Sequence, residues 1–156
     1  MSIDDVRAQL EAQIGQEAPA SDWVQVDQKR IDQFAEATGD HQWIHVDVDR
    51  SKRESPYGAP IAHGYLTLSL LPMLASLGPD EQPRYPGVKL SVNYGLNRVR
   101  FPAAVRSGAR VRARTILKEV TEVPGALQLV RVVTIDIEGE EKPACVAESV
   151  SRLYFE

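Results

Sequence analysis

The first part of the chain carries hydrophobic residues at the spacings of short helices. Over residues 3–14, apolar side chains recur every three or four positions, which predicts an amphipathic helix whose apolar face holds Ile3, Val6, Leu10 and Ile14. Residues 15–22 lack such a pattern and are expected to form a loop. The apolar residues of segment 23–26 indicate a short strand.

A second helix is predicted over residues 28–37. Asp27 is a suitable N-cap for it, and Gly39 is suited to the left-handed conformation that ends many helices. The next segment, 40–47, is typical of neither a helix nor a strand. Residues 48–58 are polar and contain proline and glycine, so they are expected to form a loop with at most a short helical turn.

The longest apolar stretch lies in the middle of the chain, over residues 61–78. A helix that is apolar on every side is a buried helix. We therefore predict a buried helix over 64–76, which Pro72 kinks or divides because proline removes a helical hydrogen bond. A loop rich in Gly, Pro and Asp is expected at 78–87.

In the second half of the chain the hydrophobic pattern changes to a period of two, which is typical of strands. Residues 88–93 alternate between apolar and polar side chains, and three further strands are predicted at 109–120, 126–138 and 143–155. Helices segregated from a run of strands indicate the α+β class. The predicted fold is one long buried central helix wrapped by a curved antiparallel β-sheet.

Composition restricts the class of protein. The chain has 156 residues, of which 43% are hydrophobic and 26% charged, as in one folded domain. A net charge of −4 argues against a sequence-independent nucleic-acid binder. No apolar run reaches the roughly 18 residues of a membrane span, and the N-terminus lacks the pattern of a secretory signal. We therefore expect a cytoplasmic protein that binds neither nucleic acid nor membrane.

Two features of side-chain chemistry stand out from this background. The single cysteine, Cys145, excludes an intrachain disulfide and is expected to be an inert, packed thiol. Residues 98–114 contain no acidic residue but hold Arg98, Arg100, Arg106, Arg110, Arg112 and Arg114. This basic segment leaves open an anionic ligand for an otherwise acidic protein.

Three groups of polar residues are candidates for chemistry. The first follows the predicted end of the second helix, the second directly precedes the central helix, and the third precedes Pro102. They are Asp40, His41, His45 and Asp47; then His63 and Gly64; then Asn93, Tyr94, Asn97, Arg98 and Arg100.

The first group has three interpretations. It could ligate a divalent cation, but no helix is predicted there to bring two imidazoles onto one face, and we expect no metal. It could be a solvated polar loop. Alternatively, Asp40 and His45 hold one water molecule as a catalytic pair, and general acid–base catalysis of this kind contributes about 10²–10⁴ in rate. Histidine suits such a role because its pKa lies near neutrality.

The second group allows a different kind of chemistry. The first N–H groups of a helix have no partners within the helix, and glycine lets a ligand oxygen approach the backbone closely. Gly64 could therefore form an oxyanion hole, or it could only close a tight turn while His63 packs in the core. Ser69 has no sequence context of a nucleophile and is expected to bond back to its own helix.

Two segments together carry a specific motif. FAEATGDHQWIHVD, residues 34–47, is followed by PIAHGYLTLSLLP, residues 60–72. This pairing of Asp and His with an I-A-H-G helix entry strongly resembles the MaoC-like hydratase/dehydratase family, hotdog-fold proteins that include the (R)-specific enoyl-CoA hydratases. The segment NYGLNRVRFPAAV, residues 93–105, resembles sequences of the branch related to nodulation protein N. The implied organisation is an N-terminal helix and linker over 1–20 and a single hotdog domain over 21–156.

The resemblance implies a role for each matching residue. Asp40 and His45 match the catalytic dyad that binds and activates water, and Gly64 matches the glycine whose N–H faces the thioester carbonyl. Ser69 falls where related hydratases have an active-site serine, which raises it to a supporting role together with His63. A role in binding CoA is our own expectation for a third set of residues, Asn97, Arg98 and Arg100.

The implied activity is reversible syn hydration of trans-2-enoyl-CoA to (R)-3-hydroxyacyl-CoA without a metal or redox cofactor. The expected partners are an acyl-CoA or acyl carrier protein substrate and a second copy of the chain, in a homodimer or a higher even oligomer. Asp40 is expected to accept the proton of the water and His45 to protonate C2, an assignment that the sequence leaves open. The alternatives are a hotdog acyl-CoA thioesterase and a non-catalytic acyl-thioester-binding subunit of a heteromeric dehydratase.

Overall fold

The computed structural model describes residues 2–76 and 85–155. Its strands are β1 (Val24–Gln25), β2 (Val88–Arg100), β3 (Arg110–Val123), β4 (Ala126–Ile137) and β5 (Cys145–Phe155). Its helices are α1 (Ile3–Glu11), α2 (Gln28–Thr38), α3 (Trp43–Val46), α4 (Val48–Glu54), α5 (Gly64–Ser69) and α6 (Leu71–Ser76). The strands form one curled antiparallel sheet in the order β1-β3-β4-β5-β2, so the predicted α+β class with a curved antiparallel sheet is confirmed.

The N-terminal segment packs on this sheet. Helix α1 ends at Glu11, three residues earlier than predicted, and starts with a capping box between Ser2 and Asp5. The predicted loop that follows runs along the edge of β3, where the N–H groups of Gly15, Ala18 and Ser21 donate to β3 carbonyls at 2.9–3.0 Å. These bonds cover the β3 edge beyond β1 and leave β2 as the other edge of the sheet.

Helix α2 has the predicted caps at both ends. The Asp27 side chain accepts a hydrogen bond from Arg30 N at 2.9 Å. Gly39 ends the helix with φ 81°, and its N–H donates to Ala35 O at 2.8 Å. Left-handed backbone of this kind favours glycine because it has no Cβ.

Two short helices follow where the sequence predicts mostly irregular structure. Helix α3 is a single turn inside the predicted irregular segment 40–47. Helix α4 has seven residues, more than the short turn expected within 48–58. The Asp47 side chain caps α4 by accepting from Arg50 N at 3.0 Å, and this polar cap explains why a segment without apolar periodicity still forms a helix.

The predicted central helix is divided, as expected from Pro72. Helix α5 ends at Ser69 and α6 begins at Leu71, with Pro72 in the first turn of α6, where its missing N–H removes no helical bond. The expectation that every side of this helix is buried is wrong for the single chain. Tyr65 is 73% exposed, and Pro72 and Ala75 are also exposed, so one stripe of the helix faces outward.

The sheet differs from prediction mainly in β2. This strand extends to Arg100, seven residues beyond the predicted 88–93, because register shifts after Asn93 and Leu96 interrupt the strict alternation of side chains. Residues 78–84 of the loop predicted at 78–87 lie outside the described residues. Among the residues that the structure describes, no helix is long and apolar enough to cross a bilayer.

Two apolar cores lie on the concave face of the sheet. The central core lies under α5 and α6 and includes Leu66, Leu70, Leu74, Val133, Ile135, Cys145 and Ala147. The N-terminal core lies under α1 and comprises Val6, Leu10, Leu117, Leu127, Leu129 and Leu153. The start of α5 and the loops that lead to it therefore sit at one end of the central core.

Candidate active site

The first predicted site residue, Asp40, is held by the end of α2. It follows Gly39 directly, so the left-handed turn of that glycine carries the chain away from the helix axis. Asp40 Oδ1 accepts a hydrogen bond from Gln42 N at 3.3 Å, and its side chain is 53% exposed. The carboxylate is thus anchored by local backbone and open to a ligand.

The second residue, His45, is buried on the single turn of α3. Its Nδ1–H donates to Ile61 O at 2.7 Å, and Ile61 N donates to Ile44 O at 3.0 Å, which ties α3 to the segment that leads into α5. From α2, Gln28 Nε2 donates to His45 O at 2.8 Å. Because the carbonyl can only accept, the neutral imidazole carries its proton on Nδ1 and presents a lone pair at Nε2.

The surroundings of His45 favour this neutral form. Burial lowers the pKa of His45 below its usual 6.5, and nearby His63 lowers it further. The hydrogen bond to Ile61 and the charge of Asp40 raise the pKa, but burial is the largest influence. At neutral pH, His45 is therefore an acceptor at Nε2.

His63 connects these two residues. Its Nε2–H donates to Asp40 O at 2.9 Å, and its ring stacks on that of His45 with centroids 3.8 Å apart and planes at 24°. Phe34 of α2 packs against its other side at 4.8 Å. Within the described residues, the buried Nδ1 of His63 has no hydrogen-bond partner. His63 therefore fixes the Asp40 backbone and the plane of the His45 ring.

Donor atoms of Asp40, His45 and His63 lie within 4.8 Å of one another, a spacing that could hold a cation. Both imidazoles, however, already donate to backbone carbonyls, His45 from Nδ1 and His63 from Nε2. Metal ligation through His63 Nε2 would cost its hydrogen bond to Asp40 O, while its remaining lone pair is on Nδ1. The donor set therefore suits a bound water better than a metal, and the absence of a metal stays a prediction.

Gly64 follows His63 as the first residue of α5. His63 is the N-cap but gives no side-chain hydrogen bond to the helix. The ring of Phe101 covers Gly64 so closely that a Cβ there would lie 3.2 Å from three ring atoms. Beside this contact is a cavity of about 490 Å³, lined by Gly64, Thr67, Phe101–Val105 and Ala144 among others. The cavity gives a ligand oxygen access to the helix start.

The structure does not bring the other predicted residues into this cluster. Ser69 Oγ donates to Leu66 O at 2.7 Å, which is the back-bonded arrangement expected from its place in a helix. Arg98 and Arg100 pair with Glu148 and Val146, which face away from the central core, so both arginines lie on the convex face of the sheet. Asn97 lies at a register shift of β2 and is exposed.

The arginine segment is not a uniform basic surface. Acidic residues from elsewhere in the chain pair with four of the six arginines: Arg106 with Glu140, Arg110 with Glu138, Arg112 with Asp136, and Arg114 with Asp136 and Glu17. Among the described residues, Arg98 and Arg100 have no such partner. They line a convex groove of about 410 Å³ together with Lys118, Val132, Val146 and Glu148.

Three groups of this site were not predicted from the sequence. The Ile61 carbonyl sets the tautomer of His45, but a backbone acceptor has no sequence signature. Phe101 covers Gly64 from more than thirty residues away along the chain. Thr67 is 2% exposed and lines the cavity, and its position three residues after Gly64 on a helix is the signal that could have identified it.

Comparison with known proteins identifies the family of the chain. A family model described as MaoC like domain matches residues 9–139. The chain is 49% identical over 146 residues to 3-hydroxyacyl-thioester dehydratase Z of Mycobacterium tuberculosis, covering 93% of each chain. It is 45% identical over 151 residues to nodulation protein N of Rhizobium leguminosarum bv. viciae, covering 96% of this chain and 91% of that one.

A solved (R)-hydratase from A. caviae has the same fold, with a TM-score of 0.69 and 24% identity over 90% of this chain and 96% of that chain. The predicted resemblance and hotdog fold are thereby confirmed, and the expected hydratase or dehydratase chemistry agrees with the names of these proteins. With a matching family model over most of its length and relatives this similar, the chain belongs to the MaoC-like domain family.

Proposed function

We propose that the protein is a hydro-lyase that reversibly hydrates trans-2-enoyl thioesters to (R)-3-hydroxyacyl thioesters. The observation that carries this proposal is the hydrogen bond from His45 Nδ1 to Ile61 O, which leaves Nε2 as an acceptor beside the Asp40 carboxylate. Two acceptors that converge next to an accessible helix start suit the activation of one water against a thioester bound there. Membership of the MaoC-like family and the names of its relatives support the same chemistry.

Gly64 N–H binds the thioester carbonyl in this mechanism. Withdrawing electrons through the carbonyl makes C3 of the conjugated double bond electrophilic. A donor placed where negative charge develops stabilises the enolate-like transition state. Because α5 has only six residues, its dipole is small, and the N–H of Gly64 itself is the group that matters.

The tautomer of His45 changes the expected roles of Asp40 and His45 in proton transfer. Its proton is on Nδ1 and is donated to Ile61, so Nε2 has no proton to give at the start of hydration. In the proposed sequence Asp40 and His45 hold the water, His45 Nε2 takes its proton, and the hydroxide adds to C3. The resulting imidazolium then returns that proton to C2 on the same face, which leaves His45 neutral and completes a syn addition.

Two substitutions test the dyad without disturbing the fold. In His45→Asn the shorter amide can still donate to Ile61 O but lacks the Nε2 acceptor, and Asp40→Asn keeps an acceptor for Gln42 N but loses the charge. Each variant should lower the rate of hydration of crotonyl-CoA and of a longer enoyl-CoA by about 10²–10⁴. The reaction is followed by the ultraviolet absorbance of the conjugated thioester. His41→Gln is the matched control, because His41 is 53% exposed and its Nε2 lies 3.7 Å from Glu36, outside the cluster of Asp40, His45 and His63.

The outcomes also separate the alternative functions. Release of free thiol without loss of the double bond would indicate a thioesterase. No reaction with any enoyl thioester from a folded protein would favour a non-catalytic subunit. Near wild-type rates in either dyad variant would refute the assignment of that residue.

We also propose that Arg98 and Arg100 bind the phosphate end of the substrate's carrier. Their convex groove reaches the same ends of β2 and β5 as the cavity beside Gly64, since Arg100 precedes Phe101 and Val146 follows Cys145. If acyl carrier protein is the donor, the double variant Arg98→Glu and Arg100→Glu should weaken binding of the substrate carried by that protein more than binding of the CoA substrate. Equal effects on the two substrates would show that the carrier protein is not recognised here. No effect on either substrate would show that this groove is not part of the binding site.

A second copy of the chain is the partner that the β2 edge fits. The exposed apolar residues of this edge strand are Leu90, Val92, Tyr94 and Leu96. An unpaired edge with apolar side chains is a template for pairing with another chain. Light scattering after size-exclusion chromatography should give a dimer or a higher even oligomer, and a Leu90→Lys variant should shift it towards the monomer.

A further inference from the structure

A polar island lies between the two apolar cores on the concave face of the sheet. Arg131 of β4 alternates with Leu129 of the N-terminal core and Val133 of the central core, so its side chain leaves the strand on the same face as theirs. Ser149 of β5 is opposite Arg131 in the register. Two residues further along β5, the Ser151 hydroxyl accepts a hydrogen bond from Arg131 Nη1 at 3.0 Å.

The guanidinium of Arg131 has no acidic partner among the described residues. Burial lowers the pKa of Arg131, and the influence that opposes burial comes from Tyr85, which is not a carboxylate. A guanidinium has five N–H donors in a planar fork that matches the two oxygens of a carboxylate. Since charges taken out of water are usually paired, this fork has capacity for an anion that the described residues, 2–76 and 85–155, do not supply.

The island opens towards the β2 edge. In the register of β2 and β5, Asn93 is opposite Ser151 and Leu96 is opposite Ser149, so both side chains start on the concave face. Asn93 is exposed, and Leu96 is 46% exposed. In the single chain, Leu96 thus offers an exposed apolar surface beside Ser149, and Asn93 adds a further polar group beside Ser151.

The distance from the candidate active site suits an acyl tail. Phe101 covers Gly64 and directly follows Arg100, which pairs with Val146. Along β5, Val146 lies three residues before Ser149, which is opposite Arg131, and five residues before Ser151, which binds Arg131. These separations correspond to about 10–17 Å. An extended hydrocarbon chain covers that distance with roughly 8–13 carbon–carbon bonds.

We propose that Arg131, Ser151 and Asn93 bind a carboxylate at the far end of the acyl chain, so that the preferred substrate is a medium-length enoyl thioester with an ω-carboxyl group. The thioester lies at Gly64, the methylene groups follow Leu96, and the terminal carboxylate receives two parallel hydrogen bonds from the Arg131 fork. This inference rests on the proposed hydratase function and adds to it the chemistry of the acyl tail.

The test compares two substrates of equal length, trans-2-decenoyl-CoA and its ω-carboxyl analogue. The wild-type protein should prefer the ω-carboxyl substrate in kcat/KM, and Arg131→Met should lower kcat/KM for that substrate by about 10- to 100-fold. The methyl-ended substrate should react at least as fast with Arg131→Met as with the wild type. Arg131→Lys should fall between them, because lysine keeps the charge but lacks the planar fork.

The matched control is Arg152→Met. Arg152 lies on the same strand as Ser151 but on the convex face, where it donates to Gln128 and stacks on Tyr94. This variant should leave the ratio of the two kcat/KM values unchanged. An unchanged ratio in Arg131→Met as well, with or without a change in thermal stability, would show that Arg131 only fills the gap between the two cores and would overturn the proposal.

A binding measurement separates this inference from the proposed function. Decanoyl-CoA and its ω-carboxyl analogue are saturated, so calorimetric titration of these ligands requires no turnover. If no enoyl-CoA is hydrated but the ω-carboxyl ligand binds more tightly and loses that advantage in Arg131→Lys or Arg131→Met, the tail site stands and the proposed reaction fails. Equal affinities of the wild-type protein for the two ligands would overturn the tail site even if hydration is observed.

Discussion

Replacing Gly64 with alanine should separate the proposed binding of the thioester carbonyl from the stability of the fold. A Cβ at Gly64 would lie 3.2 Å from three ring atoms of Phe101, closer than nine in ten real Cβ contacts. Phe101 is 39% exposed, so its ring can move outward without unfolding its surroundings. The methyl group and the displaced ring would then narrow the space through which a carbonyl oxygen reaches the Gly64 N–H.

The expected magnitudes differ for activity and stability. Losing one oxyanion-hole donor typically lowers turnover by about 10²–10³, or about 2.7–4 kcal/mol of transition-state stabilisation. Alanine is a better helix former than glycine by up to about 1 kcal/mol, which opposes the cost of moving Phe101. We therefore expect kcat/KM for crotonyl-CoA to fall about 100-fold while the thermal midpoint changes by no more than about 2–4 °C.

The assay is enoyl-CoA hydration together with thermal unfolding of the same samples. Gly95→Ala is the control, since a Cβ at Gly95 would meet nothing within 4 Å and its backbone is not left-handed. A Gly64→Ala variant with wild-type kcat/KM would show that the carbonyl does not bind at this helix start. A large loss of stability with unchanged kcat/KM would show that the close approach of Phe101 serves packing alone.

The remaining predictions concern three buried side chains, those of His45, Leu10 and Cys145. Because burial lowers the pKa of His45 below 6.5, kcat/KM should decline on the acid side with an apparent pKa below 6.5. The unfolded chain binds that proton more tightly than the folded chain does. The contribution of His45 to the free energy of unfolding is therefore complete above about pH 6.5 and is lost as the pH falls through the lower pKa of the folded state. Thermal melts of wild type and His45→Asn from pH 5 to 8 should show this difference. Leu10→Ala should cost about 2–5 kcal/mol in urea unfolding, because Leu10 is 1% exposed, and a change below about 1 kcal/mol would mean that α1 contributes little to the fold. Burial raises the pKa of Cys145 to about 11, so a thiol reagent at pH 8 should label it only after unfolding, and rapid labelling of the native protein would contradict its burial.

The parts of the fold that the sequence predicts well are those with local causes. The caps of α2 at Asp27 and Gly39 depend on neighbouring backbone, and the division of the central helix lies beside Pro72, which signals it in the sequence. The prediction that every side of the central helix is buried was wrong, because an apolar sequence does not show what packs against each face. In the single chain, the side chain of Tyr65 stays largely exposed. The full length of β2 was missed because its register shifts break the period of two.

The candidate site divides in the same way. The spacing of Asp40, His45 and Gly64 within a specific motif points to these residues, but the protonation of His45 depends on the Ile61 carbonyl, sixteen positions further along the chain. His63 was expected to support the dyad, and its stacking on His45 is a contact between the N-cap of α5 and α3 that the motif leaves undefined.

By itself, the sequence determined the α+β class, the family resemblance and the residues that carry the proposed chemistry, because helix caps, hydrophobic periods and motif spacing are local properties. Only the tertiary structure decided which charges remain available. The basic segment contains no acid in sequence, yet β4 and its turn bring Asp136 and Glu138 to Arg110, Arg112 and Arg114. The pairing of β3 with β4 and of β4 with β5 sets these distances, and it also leaves Arg131 without an acidic partner among the described residues.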